Sequence, residues 1–505
     1  MRKAIAILMI VLLLNGCIPD SAVETEASAP ASVQTTGAPT EEPTPTPSPE
    51  PTQEPTPTPI PEAPYADARK PYSYIWENER DRKWEEDIVY LANTFLDPYN
   101  GHPLLSDRVC TVLSFEDLVV RYAKQSTENF YDAELKIRFI EKINELIVSI
   151  PDKTDIELSF AIQETVAMLH DAHSYVVWKT EELLPLTVAP VETKEGTIYV
   201  IESGADVLGN IFGMQLVAIN DVPLEEIAER TRPLLFYENE YAFRNLALER
   251  ETFGSCELLR YIGVIGEERT VHITVRDADG KEKKVSVVPW SANDSKRWGN
   301  NYFWYFSEDD HEWGYDGRYL KDYDTSTEIW AALLAEGEVL YFRINSCNVT
   351  TSFEDTFTDA FASAKYVGKL KKVIIDFRGN TGGYPDLDGS FLPLVTLLKE
   401  AGAETYILID GGSFSAAIGL PAVLRRRVEN AKLVGTPGGQ PVRFFVGNTF
   451  TLPNSGITVA CSAKYYDFWP GYEEGDALMP DVIVYQTLDD FLNGYDSVMK
   501  YILEQ

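Results

Sequence analysis

Two stretches of this 505-residue chain carry residue types that can do chemistry together. The apolar run Lys372-Val373-Ile374-Ile375-Asp376-Phe377 ends in the turn Arg378-Gly379-Asn380-Thr381-Gly382-Gly383. A second apolar run ends in Asp410-Gly411-Gly412-Ser413-Phe414-Ser415-Ala416-Ala417. Each reads as a strand that stops at a glycine turn, and the second hands a serine to a helix start. Free backbone N–H groups at a helix start point at developing negative charge. Ser415 is therefore a candidate nucleophile, with the amides of Gly382, Gly383 and Ala416 as candidate oxyanion donors. A serine in that position also serves as a plain N-cap. A third stretch, His170-Asp171-Ala172-His173, sits where a helical pattern ending at Leu169 gives way to a strand at 174–178, a common location for catalytic side chains. Read as H-x-x-H it lacks the four-residue spacing of a zinc-binding helix, so no metal is expected.

The elements that must position these residues alternate in type. Strands are expected at 339–345, 373–377, 405–409 and 432–434, with helices at 352–370, 387–400 and from 415 onward. Alternation of this kind means βαβ units and a mostly parallel sheet, whose ligands sit beyond the carboxyl ends of the strands. A hairpin at 445–459 turns at Leu452-Pro453-Asn454-Ser455-Gly456. Upstream, residues 72–169 carry apolar positions at helical spacing, such as Trp84, Ile88, Leu91 and Phe95, and Thr154-Asp155-Ile156-Glu157 is a capping box. Between these regions strands return, and 271–275 pairs with 285–287 across Asp279-Gly280. The segment from Gly213 to Leu224 loosely resembles a stretch of PDZ domains, with Asp221 in place of the usual second glycine. In such domains an extended peptide adds to a sheet edge.

The first seventeen residues read as an address: Arg2 and Lys3 precede a short apolar run closed by Leu14-Asn15-Gly16-Cys17. The tetrapeptide resembles a bacterial lipobox, which implies a lipidated Cys17 and a membrane-anchored protein on the extracytoplasmic side; a plain secretory signal is the alternative. Residues 18–64 are almost entirely Thr, Pro, Ser, Glu and Ala, a composition that cannot bury a core. Extended as polyproline II, this tether would span up to about 140 Å at ~3.1 Å per residue. The net charge of −35 argues against nucleic acid as a partner. Beyond Cys17, only Cys110, Cys256, Cys347 and Cys461 occur, too widely spaced to define a disulfide scaffold or a zinc site.

The two glycine turns, Asp171-Ala172-His173-Ser174, the Leu452–Gly456 turn and Glu474-Gly475-Asp476-Ala477-Leu478-Met479-Pro480-Asp481 together resemble the tail-specific, or C-terminal-processing, family of serine peptidases. The motifs occur in the family's order, from roughly residue 80 to 505. In one branch a lysine is the general base, but Gln440 stands where it would be expected, and glutamine cannot take a proton from serine. The resemblance is closer to the tricorn-core-like branch, which implies His173 as the base and Glu474 as the carboxylate that orients it. Ile418 replaces the family's glutamate after the serine, and Pro421 falls inside the following helix, where it removes a backbone bond.

The reading is a multidomain α/β protein. It comprises a signal segment (1–17), a tether (18–64), a helical segment (65–185), a PDZ-like module (186–290), a connector (291–330) and a crotonase/ClpP-like α/β core (331–505). The resemblance implies a serine endopeptidase acting on protein or peptide substrates without a cofactor. A peptide-binding lipoprotein that does not cut is the rival reading. A carbohydrate-binding surface built on the aromatics at 298–306 is a third. His102, His272 and His311 are expected to be solvated side chains.

Overall fold

The computed structural model describes residues 78–107, 109–113, 124–177, 179–204, 206–248, 250–291, 326–348, 353–384, 391–473 and 475–505. The signal segment, Cys17, the tether, the aromatics at 298–306, His311 and Glu474 lie outside them. Among the described residues no helix is long and apolar enough to cross a membrane.

The C-terminal half is a six-stranded mixed sheet. Its strands are β9 (Ile329–Leu334), β10 (Val339–Ile344), β11 (Lys372–Asp376), β12 (Glu404–Ile409), β13 (Ala431–Gly435) and β16 (Val482–Ile483), in that order across the sheet. All neighbours are parallel except the β9–β10 pair. Every position of β10 is buried, which is why its sequence is nearly continuous apolar residues rather than an alternation. Helices α5 (Phe353–Val367), α6 (Leu392–Ala401) and α7 (Ala416–Arg427) pack on one face through residues such as Phe357, Leu394 and Leu420. Helix α8 (Ser497–Glu504) covers the other through Val498, Met499 and Ile502. Helix α7 runs through Pro421 without ending there. Arg343, buried on β10, donates to the carbonyls of Asp376 and Arg378, and Arg378 forms two-pronged pairs with Asp376 and with Asp496, the cap of α8.

The helical segment consists of α1 (Glu79–Leu96), α2 (Ala133–Ser149) and α3 (Asp155–Ala167), capped by Asn78, Asp132 and the expected capping box at Thr154. Their apolar stripes share one core with Val176, Leu452, Val459 and Cys461, so the helices sit on the late hairpin of β14 (Arg443–Thr451) and β15 (Thr458–Asp467). Strand β15 also pairs with β1 (Val109–Leu113), itself paired with β2 (Lys124–Glu128), and with β3 (Val176–Val177), joining chain segments far apart in sequence.

Between the two lies a β-rich module. Strands β4 (Leu186–Thr193), β5 (Gly196–Gly204), β6 (Gln215–Ile219), β7 (Val271–Arg276) and β8 (Glu282–Val287) form one antiparallel sheet around its own apolar core. The β7–β8 hairpin forms as expected, with Val271–Val275 opposite 283–287. The module is fastened to the C-terminal half by Asn239, whose side-chain amide donates to the carbonyls of Gly438 (3.0 Å) and Asp476 (2.8 Å). A second contact is Glu192 of β4, which accepts from Asn245, from the Gly411 backbone and from the Thr436 hydroxyl.

Candidate active site

The two glycine turns are tied to each other before any chemistry is considered. Asp410 accepts from the backbone amides of Gly379 (2.8 Å) and Gly412 (3.0 Å). Ser413 is fully buried, donates to the Phe377 carbonyl and accepts from the Asp410 amide. The Asn380 carbonyl accepts from Phe414 N–H, and its side chain spans from the Ile344 carbonyl to the Gly382 amide. The backbone of Ser415 is thereby forced to φ 56°, ψ −122°, a conformation costly for a residue with a Cβ. A strained serine between a strand and a helix places its hydroxyl outward at the top of the sheet. Ser415 occupies the N-cap position of α7, but its hydroxyl makes no capping bond.

Its partner is His173. The imidazole Nε2 lies 3.0 Å from Ser415 Oγ. The ring is held flat between Phe414 and Phe444, with centroids at 4.8 and 5.3 Å. Burial lowers its pKa to about 4 despite the Asp171 carboxylate nearby, so the ring is neutral at neutral pH. The loop that carries it is pinned by Asp171, which accepts from His173 N–H (3.0 Å) and from the Ser174 hydroxyl (2.7 Å). The Ser174 hydroxyl in turn accepts from Ser462 N–H on β15. Burial works against the charge on Asp171, but the hydrogen bond from His102 and the fields of His102 and His173 keep its pKa below the ordinary value.

Several sequence expectations need correction. His102 is not solvated: it is fully buried, with Nε2 3.0 Å from Asp171. His272 is exposed as expected. The Gly382 amide is not a free oxyanion donor, because it is spent on Asn380 at 2.8 Å. Gly382 still matters by its lack of a side chain: a Cβ there would lie 2.6 Å from Ser415 Cβ and 3.0 Å from Ala416 N. Gly383 and Ala416 have no hydrogen-bond partner on their amides among the described residues, and Gly383 packs on Asn348.

Two site residues carry no role in the sequence reading. Gln440 is fully buried, and its Oε1 accepts from Ser415 N–H at 2.9 Å while its Nε2 lies 3.2 Å from His173 Nδ1. Glu238 accepts from the Gln440 side chain and the Ala172 amide, and burial, with the Asp171 charge, pushes its pKa well up. Its Oε2 has no partner among the described residues. Asp171, His173 and Glu238 place potential ligand atoms within 4.8 Å of one another. Asp171 and His173 already spend those atoms on His102, Ser174 and Gln440, so the set does not fit a metal.

No family profile and no curated protein matches the chain. Among solved structures, mature CPAF in complex with lactacystin is similar at 12% identity and TM-score 0.52, over 84% of this chain and 98% of that one. The fold resembles that of CPAF. Mature CPAF alone gives 11% identity and TM-score 0.51, over 85% of this chain and 96% of CPAF, so the likeness takes in all three regions described above.

Proposed function

We propose that this chain is a serine endopeptidase of the tail-specific, or S41, type, using a serine and a histidine. One observation carries the proposal: a strained serine hydroxyl beyond the end of a parallel strand, 3.0 Å from the Nε2 of a half-buried neutral imidazole. In this reading Ser415 Oγ attacks the scissile carbonyl while His173 Nε2 takes its proton and returns it to the leaving amine. The Gly383 and Ala416 amides receive the oxyanion. The resulting acyl-enzyme is released by water activated on the same imidazole. The core would be of crotonase/ClpP type, and the β-rich module, PDZ-like in its Gly213–Leu224 stretch, would present extended peptide to the cleft. The late motif that begins at Glu474 supports assigning this carboxylate the role of orienting His173. The leader ending at Cys17 supports a lipid anchor on the extracytoplasmic face of a membrane.

The rival reading, a peptide-binding protein that does not cut, draws on Gln440: an amide nitrogen rather than a carboxylate faces His173 Nδ1. Fluorophosphonate labelling of the full-length protein separates the two. The peptidase reading requires label on Ser415, lost in Ser415→Ala and strongly reduced in His173→Ala. A folded protein that takes no label and cleaves no peptide contradicts it.

A further inference from the structure

The hydrogen bonds around Gln440 leave little freedom in where the His173 proton sits. The Ser415 backbone N–H can only donate, so the Gln440 atom 2.9 Å from it is the amide oxygen. The amide nitrogen is therefore the atom facing His173 Nδ1 at 3.2 Å, and it too can only donate. Glu238 also accepts from the Gln440 side chain. Gln440 is fully buried, and a flipped amide would oppose donor to donor at Ser415. A neutral imidazole has one N–H for two nitrogens. With Nδ1 accepting from Gln440, that hydrogen is on Nε2, and His173 donates to Ser415 Oγ instead of accepting from it.

We infer that Gln440 is a positioning residue that locks His173 in the Nε2–H tautomer, keeping Ser415 unactivated until the amide contact is broken. The inference deepens the peptidase reading and rests on it for its consequence. General-base chemistry needs the Nε2 lone pair, and a histidine held in the wrong tautomer loses about 10⁴-fold in rate with its geometry otherwise intact. The lock is anchored on the N–H of the nucleophile itself. A substrate carbonyl arriving beside Ser415 brings an acceptor that competes with Gln440 Oε1 for that hydrogen. Once released, the amide no longer has to donate to Nδ1, the imidazole proton can move from Nε2 to Nδ1, and Nε2 is free to take the serine proton. No atom or charge is gained or lost in this exchange.

Gln440→Glu tests the lock, because a carboxylate keeps the acceptor for Ser415 N–H and replaces the donor to Nδ1 with a second acceptor. The full-length protein carries five histidines, so ¹⁵N-histidine labelling with His173→Ala as the assignment control reads the tautomer directly. The wild type is expected to carry its proton on Nε2 and the variant on Nδ1, with fluorophosphonate labelling of Ser415 accelerated by up to about 10⁴-fold. An Nδ1–H in the wild type, or equal and measurable labelling in both proteins, overturns the inference. No label on Ser415 in either, with the proton shifted as expected, sinks the peptidase reading instead and leaves the tautomer lock standing. If Gln440→Glu does not fold, Gln440→Met removes both bonds at similar volume, and retention of the Nε2–H form in it overturns the inference equally.

Discussion

Glu192 accepts a hydrogen bond from the backbone N–H of Gly411 at 3.3 Å, so the first strand of the β-rich module touches the turn that delivers Ser415. Burial, followed by the nearby Asp410 charge, pushes this carboxyl up to about 7 in spite of its three hydrogen-bond donors. Module and C-terminal half therefore meet across a group that ionises near neutrality.

A raised carboxyl pKa means that the folded state binds the proton more tightly than the unfolded chain. Stability from Glu192 is fully present below about 4.5 and falls as pH rises to about 7, by about 3 kcal/mol in all. His173 runs the other way: its pKa is lowered to about 4, so its contribution is present above the ordinary value of 6.5 and is lost as pH falls through 4. On these two groups the wild-type stability is nearly flat from pH 4.5 to 6.5. Urea denaturation of Glu192→Gln should show stability rising across that window, and a profile parallel to wild type would refute the assignment.

Ser415 and Ser413 are two residues apart and should respond in opposite ways. Ser415→Gly removes the nucleophile and relieves the positive φ, so activity disappears while stability rises by about 1 kcal/mol. Ser413→Ala strands the Asp410 amide and loses a bond to Phe377, at a cost of ~1–3 kcal/mol, yet keeps the reactive hydroxyl. Equal loss of labelling from both would undercut Ser415 as the nucleophile.

Arg378→Ala should be the most destabilising of the polar substitutions. It leaves the Asp376 and Asp496 carboxylates buried without their partner, at ~3–5 kcal/mol. Burial alone would raise the Asp376 pKa, but Arg378 and then Arg343 overcome it and hold the group at about 2. Its contribution is thus present above the ordinary 3.8 and lost as pH falls through 2, so the variant should also denature at higher pH than wild type in an acid titration followed by circular dichroism.

His102→Ala removes a buried partner of Asp171 and should loosen the loop that carries His173. Labelling of Ser415 should slow by more than tenfold, since the effect is on position rather than on the reacting atoms. His102→Gln, which retains a donor, should recover part of it; no difference between the two would mean that His102 contributes only packing.

The alternation of strands and helices after residue 331 was legible because each buried parallel strand is a continuous apolar run, as Val339–Ile344 illustrates. The turn that carries Ser415 was legible because glycines before a helix are a local signal, and His173 was singled out through a motif. The rest depends on contacts that leave no local trace. His102 reads as a loop residue, and its burial follows from Asp171, 69 positions on. Gln440 stood out only as a missing lysine, since its function depends on a histidine 267 positions earlier. The free amide expected at Gly382 failed because the same turn contains Asn380, whose side chain reaches back to it.

Asp496 follows Arg378 by 118 positions. During synthesis the strand and turn that lead toward the nucleophile thus emerge with an arginine whose second counter-ion does not yet exist. The C-terminal half cannot close early on this route, and a nascent chain stays without a finished site until its late segment arrives. For a protein that reads as a peptidase, the order of translation itself postpones the danger to its own unfolded chain.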